Sequence, residues 1–309
     1  MGVYVKRLSL FMLCVLLLIS SCAKKADGGE GVVFTDDKGR EVTVSSPERV
    51  ASLIGSLAQI WMLSGGDVVA AADDAWDDLA LDLSEDTVNL GKINNLSMEK
   101  LIQAKPDFVI ASPNIAQDVS WKETIEAMGI PVAYFEVYTF SDYLRILDIF
   151  TDITGRKDLY RIYGEEVEME IEEVLEKNRT DSPKVLSLLA STSYLKAKNS
   201  SSSVMGAMLK DLGCINLADS ESSLLENLSI EYILQEDPEY IFLTQRGDDT
   251  EGMKKAVEKY FQEHPLWYEL RAVKEGKVFF MDKNLYNLKP NNRWGEAYRI
   301  LQEILTDES

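Results

Sequence analysis

Asn95–Ile110 reads NLSMEKLIQAKPDFVI, and Asn227–Phe242, 132 residues further along, reads NLSIEYILQEDPEYIF. Asn, Leu, Ser, Glu, Gln and Pro coincide, and nearly every other position pairs like with like. A match of sixteen residues without a gap argues for two lobes built alike. Each copy predicts a Ser-capped helix, a proline that stops it and a buried strand. Such a unit used twice, with Glu99 and Glu231 at the same place in each, predicts a clamp with a symmetric docking face.

Outward from the repeat, strands alternate with helices. Phe34–Val44 carries Lys38-Gly39 between β-type runs and predicts a hairpin. Val50–Ile54 and Val68–Ala72 predict strands on either side of a helix over Ser56–Leu63, which Gly65-Gly66 closes. Ile130–Val137 supplies a further strand after the first repeat copy. This alternation predicts a parallel sheet covered on both faces. From Ser141 to Asn178 the apolar spacing becomes helical, broken once at Gly155. A helix of about 20 residues there spans close to 30 Å and predicts the connector between the halves. The second half restarts at Pro183 with a strand over Lys184–Ala190 and a helix over Val204–Leu212 ended by Gly213. After the second copy come a helix around Glu251–Phe261, a strand at Lys277–Met281 and a terminal helix from Trp294 to Leu305. The expected fold is α/β: two Rossmann-like lobes with parallel-type sheets joined by one long α-helix. The expected boundaries are a signal over 1–21, a tether over 22–31, lobes at 32–140 and 181–309, and connector helices at 141–180.

The first 21 residues read as an address. Lys6 and Arg7 precede an apolar run, Leu8–Ile19, that is too short to span a bilayer comfortably. The run ends in Ile19-Ser20-Ser21-Cys22, which resembles a bacterial lipobox and makes Cys22 the expected lipidation site. An ordinary secretory signal that contains a cysteine is the alternative. Cys14 leaves with the signal, so Cys214 remains without a disulfide partner and no thiolate zinc site forms. Loss of Lys6 and Arg7 moves the net charge from −20 to −22. A surface so acidic gives no footprint for nucleic acid or anionic lipid, and only a lipid would hold the chain at a membrane.

With lobes, tether and connector in place, the whole mature chain resembles a substrate-binding lipoprotein of an ABC importer. It is closest to the class in which two α/β lobes share one long helix, serving ferric siderophores, haem and cobalamin. The resemblance rests on Thr35-Asp36-Asp37-Lys38-Gly39-Arg40, Pro47-Glu48-Arg49-Val50, the two Ser-x-Glu…Pro-Asp/Glu repeats, Leu212-Gly213…Asn216 and Lys289-Pro290-Asn291-Asn292-Arg293-Trp294. It implies an extracytoplasmic, monomeric, lipid-anchored subunit on the periplasmic side or cell surface. Its partners would be a permease and its ATPase, and its ligand an iron chelate, with haem or cobalamin as the alternative. It also implies that Glu99 and Glu231 pair with permease arginines. Capping of the helix dipole, worth about 0.3–1 kcal/mol, explains each glutamate separately but not the recurrence at one repeat position.

Ligands of open α/β sheets bind beyond the carboxyl ends of the strands. The corresponding loops are Gly55-Ser56-Leu57, Asp73–Trp76, Ser112–Asn114 and Tyr138 in the first lobe. In the second they are Ser191–Lys198, Thr244–Arg246 and Tyr286–Trp294. Ser56, Trp76, Tyr138, Lys196, Lys198, Arg246, Tyr286, Arg293 and Trp294 are the candidate ligand contacts, a mixture that suits a large, partly planar anion. Arg293 offers a rigid fork of donors to an anionic chelate, or a salt bridge to Glu296 one turn on. Trp76 and Trp294 either stack on a ligand plane or pack, and Tyr138 and Tyr286 either hydrogen-bond a ligand or ligate haem iron.

Bare metal ions do not fit, because the single histidine, His264, cannot build a converging ligand set. No cofactor is expected. No Gly-x-Ser-x-Gly elbow, Gly-rich phosphate loop or His-Glu-x-x-His occurs, so an enzyme is not expected. A structural or adhesive surface lipoprotein is the remaining alternative.

Overall fold

Short apolar runs bounded by turns become strands, and the stretches between them that space apolar residues at three and four become covering helices. The computed structural model describes residues 31–177 and 181–306; the predicted signal, Cys22 and all of the tether but Gly31 lie outside them. Gly39, at φ +70°, turns the opening hairpin of β1 (Val32–Thr35) and β2 (Glu41–Val44). Next come β3 (Val50–Ser52), α1 (Gly55–Leu63), β4 (Val68–Ala71), the single turn α2 (Asp74–Asp77) and β5 (Val88–Asn89). They are followed by α3 (Met98–Ala104), β6 (Phe108–Ala111), α4 (Ala116–Ala127) and β7 (Val132–Tyr134). The five strands β3–β7 pair in parallel in the order β5-β4-β3-β6-β7.

A capping box between Thr139 and Asp142 starts α5 (Phe140–Thr154), and Gly155, at φ +71°, ends it. The long helix follows as α6 (Lys157–Tyr160), a π turn over Arg161–Glu165 and α7 (Glu166–Glu176) without a break. Its last predicted residue, Asn178, lies outside the described residues.

The second lobe begins with β8 (Lys184–Ala190) and β9 (Leu195–Ala197), then α8 (Val204–Asp211), β10 (Ile215–Asn216), α9 (Leu217–Ser220) and α10 (Ile230–Glu236). It continues through β11 (Tyr240–Gln245), α11 (Thr250–Glu263), α12 (Arg271–Lys274), β12 (Val278–Met281), α13 (Lys283–Tyr286) and α14 (Trp294–Thr306). Its parallel order is β10-β8-β11-β12, but β9 adds antiparallel to the distal half of β8. The second sheet is therefore parallel in type with one antiparallel addition, β9. Tyr194 and Ser191 close a tight turn, the Ser191 Oγ accepting from the Tyr194 N–H at 3.1 Å, which folds the chain back beside its own strand.

The repeat is visible side chain by side chain. Phe108 and Ile110 of β6 face the central core, and so do Tyr240 and Phe242 of β11; Val109 and Ala111, like Ile241 and Leu243, face the outer layers. Each fully buried large side chain contributes about 1.5–3 kcal/mol. Leu101 and Ile233 pin α3 and α10 to those outer layers. The two helices stop alike, on left-handed Lys105 (φ +48°) and Asp237 (φ +43°), each followed by proline. Both lobes tie the helix end to the start of a central strand. Arg49 donates to the Ala104 and Lys105 carbonyls at 2.7 and 3.0 Å, and Lys184 meets the Glu236 carboxylate at 3.0 Å.

Hydrogen bonds and an ion pair join the lobes directly. The Asn291 amide donates to the Ser56 carbonyl at 3.0 Å and to the Gln59 side chain at 2.6 Å. Lys283 lies 2.6 Å from Asp78 of the first lobe and 2.6 Å from Asp248 of its own. The central core runs through both lobes and the connecting helices, with α14 packed on α7.

Candidate functional site

The site is built where the strands end. In the first lobe, Gly55 starts α1 directly after β3, and its N–H donates to both Asp74 oxygens at 2.9 Å. A Cβ at Gly55 would stand 2.6 Å from the Ala75 nitrogen, so glycine alone permits this approach. After β6, the Ser112 N–H donates to Asp118 Oδ2 at 3.0 Å, while Asp118 Oδ1 has no hydrogen-bond partner. Burial pushes both carboxyls up to about 7; at Asp74 the Asp78 and Asp73 charges add to it, at Asp118 that of Asp74. The two carboxyls thus hold the loops that follow β3 and β6. Ser56, Ser112, Asn114, Glu136 and Tyr138 line a cavity of about 220 Å3.

In the second lobe Ser187, Lys198, Thr244, Arg246 and Tyr286 line a neighbouring cavity of about 180 Å3. Tyr138 and Lys289 line both, so the two cavities form one cleft between the lobes. The Lys289 ammonium lies 5.4 Å from the centre of the Tyr138 ring. Burial, aided by the Lys198 charge, pushes Lys289 down to about 8, against the opposing pull of Glu136 and Asp142. Lys198 also falls below the ordinary lysine range, through burial first and then the Arg246 and Lys196 charges. None of Lys198, Arg246 and Lys289 forms an ion pair with a described residue. Three cations that repel one another in one concave site are the arrangement an anion would relieve. The Tyr138 phenol, which accepts from the Asn114 amide at 3.1 Å, is pushed up to about 12 by burial and by Glu136.

Residues 50–285 match the family described as periplasmic binding protein. The chain belongs to the periplasmic binding protein family. These are extracytoplasmic solute-binding proteins of the class that serves ABC importers, and this chain is a binding protein, not an enzyme. It is 25% identical to the Fe(3+)-citrate-binding protein YfmC of Bacillus subtilis over 89% of this chain and 88% of the relative. Among solved structures it resembles the triscatecholate siderophore binding protein FeuA of Bacillus subtilis, complexed with ferri-bacillibactin. That likeness has a TM-score of 0.69 at 19% identity and covers 89% of this chain and 98% of the other. It also resembles Staphylococcus aureus IsdE complexed with heme, with a TM-score of 0.68 at 16% identity over 84% and 99%. At these identities the structural likeness carries the two-lobe fold alone.

The binding protein brings Ser56, Tyr138, Lys198, Arg246 and Tyr286 to the cleft. Tyr286 presents only its ring there, because its hydroxyl donates to the Ala297 carbonyl at 2.9 Å. Four candidates lie elsewhere. Arg293 is held by Glu296 through bonds of 2.7 and 2.9 Å and lines neither cavity, so the salt bridge is its partner. Trp294 has no exposed surface; it meets Phe140 edge to face at 6.0 Å inside the core. Trp76 is partly buried and packs against that core, and it lines neither cavity. Lys196 lies outside the cavities with its ammonium 5.4 Å from the Tyr194 ring, acting on the cleft only through its field on Lys198. His264 ends α11 against Tyr260 and lines neither cavity.

Two charged lining residues are not among the candidate contacts. Lys289 stands in the Tyr286–Trp294 loop beside the more conspicuous Arg293, and a lysine before a proline in that loop is its signal. Glu136 interrupts the apolar run Ala133–Val137 as its single charge, which is the mark of a strand end at a rim.

Glu99 and Glu231 are exposed in the first turns of α3 and α10. Ser97 and Ser229 cap these helices, accepting the Lys100 and Tyr232 N–H groups at 3.3 and 3.4 Å. Since Arg49 and Lys184 tie the helix ends to the strand-start edge, the helix starts lie at the opposite edge, on the cleft side.

Proposed function

We propose that this protein captures a ferric siderophore-type chelate with an anionic surface and delivers it to an ABC permease. The observation that carries this reading is the convergence of Lys198, Arg246 and Lys289 on one cavity without carboxylate partners. Ferric chelates of carboxylate, hydroxamate or catecholate type expose the oxygens such a site recognises. The name of the iron-citrate relative supports the same class. In this reading Cys22 carries the lipid anchor and ATP is hydrolysed elsewhere in the complex. Glu99 and Glu231, one per lobe on the cleft-side edge, set the orientation on the permease.

A tetrapyrrole is the second reading, favoured by the Tyr138 phenol oxygen at the cavity wall, where it could reach a haem iron. The test is titration of the purified protein with ferric citrate, ferric catecholates, haem and cobalamin, followed by tryptophan fluorescence. Submicromolar quenching by a ferric chelate, weakened at least about tenfold in Lys289→Met, supports the first reading. Tight binding of haem or cobalamin alone replaces it, and silence from all of them rejects both. Reversal of Glu99 and Glu231 to Lys is expected to abolish uptake with ligand affinity intact; lost ligand binding instead would remove them from the docking role.

A further inference from the structure

Among the described residues Glu136 is the only carboxylate lining the two cleft cavities, whose other charged lining residues, Lys198, Arg246 and Lys289, are cations. Its placement is enforced. Its N–H donates to Asp37 Oδ2 at 2.7 Å, and Arg145 holds Asp37 from the other side at 2.8 Å. Its carboxylate accepts a short hydrogen bond from the Asn114 amide. Among the described residues it forms no ion pair, and Lys289, although close enough to feel its charge, makes no contact with it within salt-bridge distance. Glu136 therefore does not neutralise Lys289.

A carboxylate at this wall opposes any ligand that is anionic all round, and it does so more strongly as the ligand expels water. A glutamine would accept from Asn114 equally well without that repulsion. At a distance the charge helps to keep Lys289 protonated, and it gains a direct partner if the ligand brings a complementary group to it.

We propose that the ligand is zwitterionic: its anionic face lies on Lys198, Arg246 and Lys289, and an ammonium or similar cationic donor on its opposite side meets Glu136. This rests on the anionic-chelate reading above and narrows it to chelates that carry a free amine. The cleft is polar in a literal sense, basic on the second lobe and acidic on the first, and that polarity fixes which way round the ligand sits.

The experiment compares two ferric complexes of one citrate-based polycarboxylate chelator, one with a free primary amine and one with that amine acetylated. Both are titrated against the wild-type protein and Glu136→Gln. The wild type is expected to bind the amine complex at least about tenfold more tightly than the acetylated one, and Glu136→Gln to close that gap by weakening the amine complex alone. Lys289→Met should weaken both complexes alike. Equal binding of both by the wild type overturns the proposal while leaving the anionic-chelate reading in place, and so does an equal loss of both in Glu136→Gln, which is what a purely structural Glu136 would give. If neither complex binds, and ferric citrate and ferric catecholates are also silent, the anionic-chelate reading fails and the proposal falls with it.

Discussion

Asn114 and Arg246 occupy the same step of the repeat, 132 residues apart, each two residues past a Ser112–Thr244 pair at the end of the central strand run. Everything beneath them matches: the serine caps, the left-handed helix ends, the cations at the strand starts and the alternation of Phe108–Ala111 with Tyr240–Leu243. At the rim the copies part company. The first lobe presents an amide, hydroxyls and Glu136, and the second presents Lys198, Arg246 and Lys289. Positions that face the core must keep size and polarity, whereas a loop position past a strand end carries no such demand. One scaffold thus supports two opposed electrostatic surfaces.

The harshest way to break this comparison is to test whether the scaffolds are equivalent in energy. Phe108→Ala and Phe242→Ala should each cost about 3–5 kcal/mol in urea unfolding, because both rings fill the central core. A large inequality would mean that one lobe, not both, sustains the fold. Ligand titration sharpens the rim. Arg246→Asn, which makes the second lobe copy the first, should weaken a ferric chelate by about 2 kcal/mol, whereas Asn114→Ala should change affinity several-fold less.

The lobes should also respond to pH in different quantities. Lys289, held at about 8, is charged below that value and neutral above it, so anion affinity is full near pH 7 and declines as pH rises through about 8. Lys289→Met should flatten that limb of a Kd–pH profile. Asp74 and Asp118 are raised to about 7, so the folded state binds their protons more tightly than the unfolded one. Their contribution to stability is full below about pH 4 and lost as pH rises through about 7. Asp118→Asn should therefore stabilise the protein by about 1 kcal/mol at pH 8 relative to wild type, with the difference shrinking at pH 4, as measured by denaturant midpoints. The smallest effects belong to the caps. Ser97→Ala and Ser229→Ala should each cost about 1 kcal/mol, and equally.

Much of the scaffold is legible in the repeat, since a serine, an apolar period and a proline carry their meaning locally. The antiparallel β9 is not, because it depends on a turn at Ser191–Tyr194 that resembles any polar loop. The segment from Lys289 to Trp294 divides its side chains for a three-dimensional reason. Asn291 adopts a left-handed conformation at φ +51°, and its buried amide reaches across to Ser56 and Gln59. That reversal sends Lys289 into the cleft, Arg293 outward to Glu296 and Trp294 into the core. Sequence spacing supplies the residues of such a segment but not the side on which each emerges.

Lys283, clasped by Asp78 on one lobe and Asp248 on the other, has a consequence for the transporter rather than for the ligand. If that bridge persists when cargo binds, the molecule would keep nearly the same outline whether empty or loaded. On the docking role proposed above for Glu99 and Glu231, a permease reading only their spacing would then accept both forms, and the vacant form would act as a competitor for the gate. Productive uptake in such a system is governed by occupancy, so the dwell time of the cargo, more than any change of shape, sets how many encounters end in transport.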